Sequence, residues 1–162
     1  MEAWGKVDNA EVLAALRNLI ALGRDASPAM ADIAAHGENS TRMRFRTETA
    51  PDGTPWKASL RARITGGRTL TQDGHLSGSV SGSHGRDFAE WGVNRIYAAI
   101  QQFGGTIRAK GKALRFRLFG GGFATVKSVT LPARPYLGVS DTDRTDILDI
   151  IQARIWGAAH AG

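Results

Sequence analysis

The strongest constraint on this chain lies in the stretch from Ile96 to Gly138, IYAAIQQFGGTIRAKGKALRFRLFGGGFATVKSVTLPARPYLG, which glycines and prolines divide into short segments. Leu114, Phe116 and Leu118 alternate with Arg115 and Arg117, the period-two pattern of a strand with one apolar and one cationic face. Gly120-Gly121-Gly122 reads as the turn and Val126 to Leu131 as the return. Pro132 and Pro135 end the pairing, because neither can donate to a ladder. Upstream, Ile96, Tyr97, Ala99 and Ile100 read as a further strand that stops at Gln101-Gln102-Phe103-Gly104-Gly105. Backbone shape, strand pairing and positive charge dominate the stretch. It holds no nucleophile beside a base, no paired carboxylates and no metal-ligand spacing.

The flanking segments supply the rest of the fold. Asp8-Asn9 can cap a helix carrying Val12, Leu13, Leu16, Leu19 and Ile20, with Gly23 as its stop. Ser27-Pro28 starts a second helix, with Ser27 as N-cap, which is expected to end at His36-Gly37. His36 then reads as a basic partner of the helix dipole. Arg42, Arg44 and Arg46 alternate with Met43, Phe45 and Thr47, which fits a short extended piece or a helix end. Pro51-Asp52-Gly53 is a turn, Trp56 an anchor to the core, and Leu60 to Gly67 a mobile segment. Leu76 to Ser81 and Phe88 to Val93 flank a hairpin connection at His84-Gly85-Arg86. Ser140 to Asp143 caps a helix of about Thr142 to Trp156, whose Ile147, Ile151 and Ile155 are expected to pack on the sheet.

The predicted fold is therefore α+β: an antiparallel β-sheet with N-terminal helices and a C-terminal helix packed on it, plus an extended basic β-hairpin. A single domain spans 1–162, with a helical segment at 1–40, a loop-rich connection at 41–75, the sheet and hairpin at 76–138 and the last helix at 139–157. A chain of 162 residues is long enough to bury roughly two-thirds of its unfolded surface.

Composition excludes several kinds of chemistry. There is no cysteine, so there is neither a disulfide framework nor a thiolate nucleophile or metal ligand. His36, His75, His84 and His160 lack zinc-like spacing, and Asp141, Asp143, Asp146 and Asp149 lack the glycine and closing glutamate of a calcium loop. The glycine clusters neither follow a buried parallel strand nor open a phosphate-binding helix. No catalytic residue, cofactor or metal site is expected. No apolar run approaches the length of a membrane span, and the first residues lack the pattern of a signal peptide, so synthesis in the cytoplasm is expected.

The net charge of +6 is uneven. Residues 42–117 hold 14 basic and 5 acidic side chains, whereas residues 1–41 hold 3 and 6. Arg108, Lys110, Lys112, Arg115, Arg117 and Lys127 cluster on the hairpin. They can form a solvated edge that discourages aberrant pairing, or a surface for phosphates or an acidic neighbour. Arg134, between two prolines, is placed for a bidentate bond to a carboxylate or to carbonyls, inside the subunit or across an interface.

Four blocks carry a family resemblance: Pro51-Asp52-Gly53-Thr54-Pro55-Trp56; Leu70 to Leu76 with Gly74; Tyr97-Ala98 leading to Gln102-Phe103-Gly104-Gly105; and Pro132-Ala133-Arg134-Pro135-Tyr136-Leu137-Gly138. Together and in this order they resemble the phage virion morphogenesis family, the Mu-like tail-completion proteins. Gln101 departs from the family, which often has His there. The resemblance implies a structural virion protein at the head–tail junction, a tail-completion or neck component. It further implies a homo-oligomeric ring, expected to be hexameric, that meets the tail tube and the head-completion or connector proteins and can contact packaged DNA in its lumen. The residues themselves leave one alternative, a non-specific nucleic-acid-binding protein using the basic hairpin.

Overall fold

The computed structural model describes residues 10–118 and 120–160. Two helices, α1 (Ala10–Arg24) and α2 (Ser27–Thr47), lead the described chain, and a third, α5 (Asp141–His160), closes it. Between them lie two short helices, α3 (Leu60–Thr65) and α4 (Ala98–Phe103), and six strands: β1 (Val80–His84), β2 (Ala89–Val93), β3 (Gly105–Arg108), β4 (Leu114–Arg117), β5 (Phe123–Val126) and β6 (Ser128–Leu131). The class is α+β. The strands form three two-stranded antiparallel ladders rather than one sheet: β1 with β2, β3 with β6, and β4 with β5.

Helix α2 is the spine. It does not stop at His36-Gly37 but continues to Thr47, across the expected 40/41 boundary. Gly37 marks a close approach instead of an end, since a Cβ there would lie 2.2 Å from the indole of Trp91 on β2. His36 is accordingly mid-helix, away from the dipole's terminus. The alternating arginines occupy the last turns of the same helix, where Arg42 and Arg46 are exposed and Arg44 is buried. Ala26 holds the N-cap position, one residue before Ser27, with Pro28 in the first turn. The Asp8-Asn9 cap lies outside the described residues.

The run at Tyr97 to Ile100 is a helix, not a strand. Alanine and glutamine favour helix in AAIQQF, and Gly104 at φ +69° terminates it. Leu60 to Thr65 is also helical rather than an irregular mobile segment. The hydroxyl of Ser59 accepts from Ala62 N–H at 3.1 Å, and Gly66 closes the helix in the left-handed conformation. Ser77–Ser79 forms a 3-10 turn before β1 begins.

Helix α5 packs on α1 and α2, not on the strands. Its inward side carries Asp143, Ile147, Ile150 and Ile151, while Leu148, Ile155 and Trp156 remain exposed. The buried cluster consists of Phe45, Ala50, Trp56, Leu76, Val80, Ala98 and Tyr136. Phe45 meets Trp56 edge-on at 5.6 Å and Tyr136 at 5.1 Å between ring centroids.

Candidate functional site

Two regions gather the residues singled out in the sequence. The first is a buried junction where three of the four motif blocks interlock. Gln102, at the end of α4, uses both ends of its amide. Its Oε1 accepts from the N–H groups of Tyr136 and Leu137 at 3.0 Å, and its Nε2 donates to Leu137 O at 3.0 Å. Trp56 Nε1 donates to Pro135 O at 2.8 Å. Arg134 turns into its own subunit: Nε donates to Lys57 O at 2.7 Å, Nη1 to Gln101 Oε1 at 3.3 Å, and its N–H to Gln101 O at 2.8 Å. Gln101 is thus a structural acceptor.

The glycines and prolines of these blocks serve the same junction. Gly104 lies against the Leu131–Ala133 backbone, where a Cβ would approach Ala133 N to 2.5 Å. Gly138, at φ +145°, faces Pro51, whose Cγ would be 2.7 Å from a Cβ. Asp52 closes the Pro51-Asp52-Gly53 turn by accepting from Thr54 N–H at 2.9 Å. In the remaining block, Gly74 O accepts from Gly78 N–H at 2.7 Å, and Ser79 N–H donates to the carbonyl of buried Leu76 at 3.1 Å in the 3-10 turn that follows. Tyr136 is fully buried, its hydroxyl donating to Ala98 O at 2.9 Å, and burial pushes its pKa up to about 12. Tyr97 and Phe103 behave differently, for both rings face outward, Phe103 at 77% exposure.

A buried ion pair, absent from the sequence reading, completes the junction. Arg44 Nη2 binds Asp143 Oδ2, while Nη1 donates to the carbonyls of Tyr136 at 3.0 Å and Gly138 at 2.9 Å. Asp143 also accepts from Ser140 N–H and Oγ at 2.8 and 2.7 Å, and Ser140 Oγ accepts from Asp143 N–H, a reciprocal cap at the start of α5. His36 Nε2 lies 3.1 Å from the other carboxylate oxygen. Burial alone would raise the Asp143 pKa; hydrogen bonds from Ser40 and Ser140 and the Arg44 charge outweigh it and bring the pKa to about 2. The arrangement ties α2, α5 and the Pro-Arg-Pro segment together.

The second region is an arm running from Gly105 to Leu131. Its two ladders are consecutive, Arg108 facing Ser128 and Leu114 facing Val126, with Ala109 N–H bonded to Lys127 O at 2.9 Å. Residues 110–113 therefore loop out of one strand. Arg108, Lys110, Lys112, Arg115, Arg117 and Lys127 are all exposed, and among the described residues none forms an ion pair. Beyond the bulge, β4 and β5 pack chiefly on each other. The tip borders a cleft shared by Gln72, Arg117, Leu118, Gly120 and Gly121, so the arm curves back toward the Leu70–Leu76 block.

Among the described residues no group of three potential ligands could hold a metal ion, and no helix is long and apolar enough to cross a membrane. What the geometry offers is a rigid frame with an exposed cationic arm.

This chain belongs to the phage virion morphogenesis family, which it matches over residues 7–155. It is 31% identical over 129 residues to protein G of Escherichia phage Mu, which is named provisionally for capsid assembly; the match covers 74% of this chain and 73% of the relative. It is 32% identical over 148 residues to the Mu-like prophage FluMu G protein 2 of Haemophilus influenzae, with 91% of each chain covered. No solved structure matches it.

Proposed function

We propose that the protein is a non-enzymatic, ring-forming component at the head–tail junction of a tailed phage or phage-like particle, completing the tail or joining it to the head. Family membership and the two relatives support a role in building the virion. The observation that carries the finer reading is the contrast between a frame closed by internal bonds and an arm whose six cations are left open to partners. Outward-facing Ile96, Phe103 and Trp156 add apolar surface of the kind that assembling subunits bury. Electron microscopy of purified particles, with this chain labelled and its copies counted, tests the reading. Density in a ring between head and tail is expected; density confined to the capsid shell, or none, overturns it.

The arm also favours a second reading, non-specific binding of nucleic acid. Residues 91–140 contain no acidic side chain, so the arm's charge is not offset locally. Binding of this kind weakens steeply with salt, because neutralised phosphates release counterions. A duplex titrated at several salt concentrations distinguishes the two: a steep slope supports DNA contact, and salt-independent or absent binding removes it.

A further inference from the structure

Two surfaces of this molecule complement each other. The first is a groove of about 440 Å³ between α2, the Pro51-Asp52-Gly53 turn and the start of α5. Met43, 51% exposed, lies along it with Ala50 and Pro51, giving an apolar floor. Of its lining charges, Arg44 is matched by Asp143, and the half-exposed carboxylate of Asp146 has only the His36 ring nearby, its Nε2 at 3.7 Å. The exposed Asp52 stands on the turn between the lining residues Pro51 and Gly53. The groove therefore offers an apolar strip at Met43, Ala50 and Pro51, with the Asp146 carboxylate in its lining and Asp52 on the adjoining turn.

The second surface is one face of the outer arm. Arg115 pairs with Thr125 and Arg117 with Phe123, which places these four side chains on the same side. Phe123 is 58% exposed, with the Arg115 guanidinium carbon 4.3 Å from its ring centroid. An exposed aromatic ring with one arginine over it and a second across the ladder is the composition of an interface anchor. Its own subunit does not seat it in this groove: the tip lies beside Gln72, and the two clefts share no lining residue.

We infer that this arm face docks into the α2–α5 groove of a second copy of the chain, with Phe123 over Met43, Arg117 paired with Asp146 and Arg115 with Asp52. An apolar cavity of about 150 Å³ accepts benzene, so the groove has room for the ring and its flanking cations. Arm and groove are different patches, so the contact is head-to-tail and closes into a ring when the rotation per copy permits. The inference rests on the assembly reading only in requiring that copies meet.

The absence of cysteine permits a clean test. T47C lines the groove and T125C lies on the docking face beside Phe123, and both positions are exposed, so neither change removes the anchor. Full-length T47C and T125C chains, checked for native circular dichroism, are mixed and treated with a short bis-maleimide. A cross-linked dimer containing one of each is expected, and a chain carrying both cysteines should give a ladder. D146R or R117D should each lower the yield at least about tenfold, and the two reversals on opposite partners should restore it. No mixed dimer, or a yield indifferent to either reversal, overturns the inference. No mixed dimer in the absence of DNA, together with DNA-duplex binding by the T125C chain that R117D abolishes, overturns it and assigns the arm to nucleic acid. Failure here leaves the microscopy test of the junction location untouched, and the reverse also holds.

Discussion

The buried junction and the arm use the same kinds of residue to opposite ends. At the junction, Arg44 and Arg134 are buried, and their donors find carbonyls, hydroxyls or a carboxylate within the chain. On the arm, Arg115 and Arg117 are exposed and form no ion pair among the described residues. The glycines differ likewise. Gly104 is hemmed in by backbone, whereas Gly120, Gly121 and Gly122 have open space where a Cβ would stand. Residue type alone therefore does not separate scaffold from contact surface; satisfaction of each polar group does.

The contrast breaks first if the ion pair proves dispensable. Arg44→Ala should cost about 3–5 kcal/mol, because it leaves the buried Asp143 carboxylate without its charge partner. Urea unfolding measures this, and a loss below about 1 kcal/mol would show that water replaces the guanidinium at little cost. Gly104→Val should be of similar size, since it places a β-branched side chain at positive φ against the Ala133 backbone. Acid sharpens the same point. The folded-state pKa of Asp143, about 2, lies below its ordinary 3.8. Its contribution is thus fully present above pH ~4 and is lost as pH falls toward ~2, amounting to about 2 kcal/mol. Ser140→Ala, which removes a larger share of the interactions holding that pKa down than loss of the Arg44 charge would, should flatten that part of the stability–pH curve.

A milder effect belongs to α5. Ile151 packs only half-buried against helices, so Ile151→Ala should cost about 1–2 kcal/mol, less than the 2–5 kcal/mol of a fully packed core position. A larger measured loss would place the residue in a tighter core than the helix pair provides. Smaller still, Thr41→Val should stabilise by about 1 kcal/mol. The Thr41 hydroxyl is buried without a hydrogen-bond partner in the protein, and valine has the same shape without the polar atom. A loss on this substitution would reveal a bond that the hydroxyl makes.

Legibility in the sequence followed the range of the interactions involved. The β4–β5 hairpin was legible because Leu114, Arg115, Phe116 and Arg117 alternate locally and glycines mark the turn. Helix α5 was legible because Ile147 and Ile151 recur at helical spacing, although periodicity did not say which neighbour they would face. The length of α2 was not legible, since Gly37 resembles a stop until Trp91 is seen to occupy its space. Tyr97 to Ile100 is a short apolar run, a pattern that helix and strand share. The Arg44–Asp143 pair joins residues 99 positions apart, and no local pattern announces it. A partial signal existed: Ile33, Gly37, Thr41, Arg44 and Phe45 form one helical stripe, which would have turned Arg44 inward. The motif blocks were visible as a resemblance, but their mutual bonds emerge only when Gln102, Trp56 and Arg134 are brought together in space.

The smallest expected effect on stability separates the two regions most sharply. Arg115→Glu combined with Arg117→Glu reverses two exposed charges that form no ion pair among the described residues, so unfolding free energy should change by less than about 0.5 kcal/mol. The Arg115 stacking on Phe123 is lost, but at an exposed site that contact contributes only about 0.5–1 kcal/mol, and reduced repulsion within a wholly cationic arm opposes the loss. Any acidic surface or phosphate backbone that meets the arm would now face two negative charges in place of two positive ones. Like-charge contact at an interface costs several kcal/mol, enough to abolish assembly that the wild type completes. The expected result is therefore a chain that melts like the parent yet fails to complement particle formation, with partial recovery at high salt as the repulsion is screened. Wild-type particle yield from the double reversal in both low and high salt would make the arm a solvated edge, and the contrast between frame and contact surface would lose its functional half.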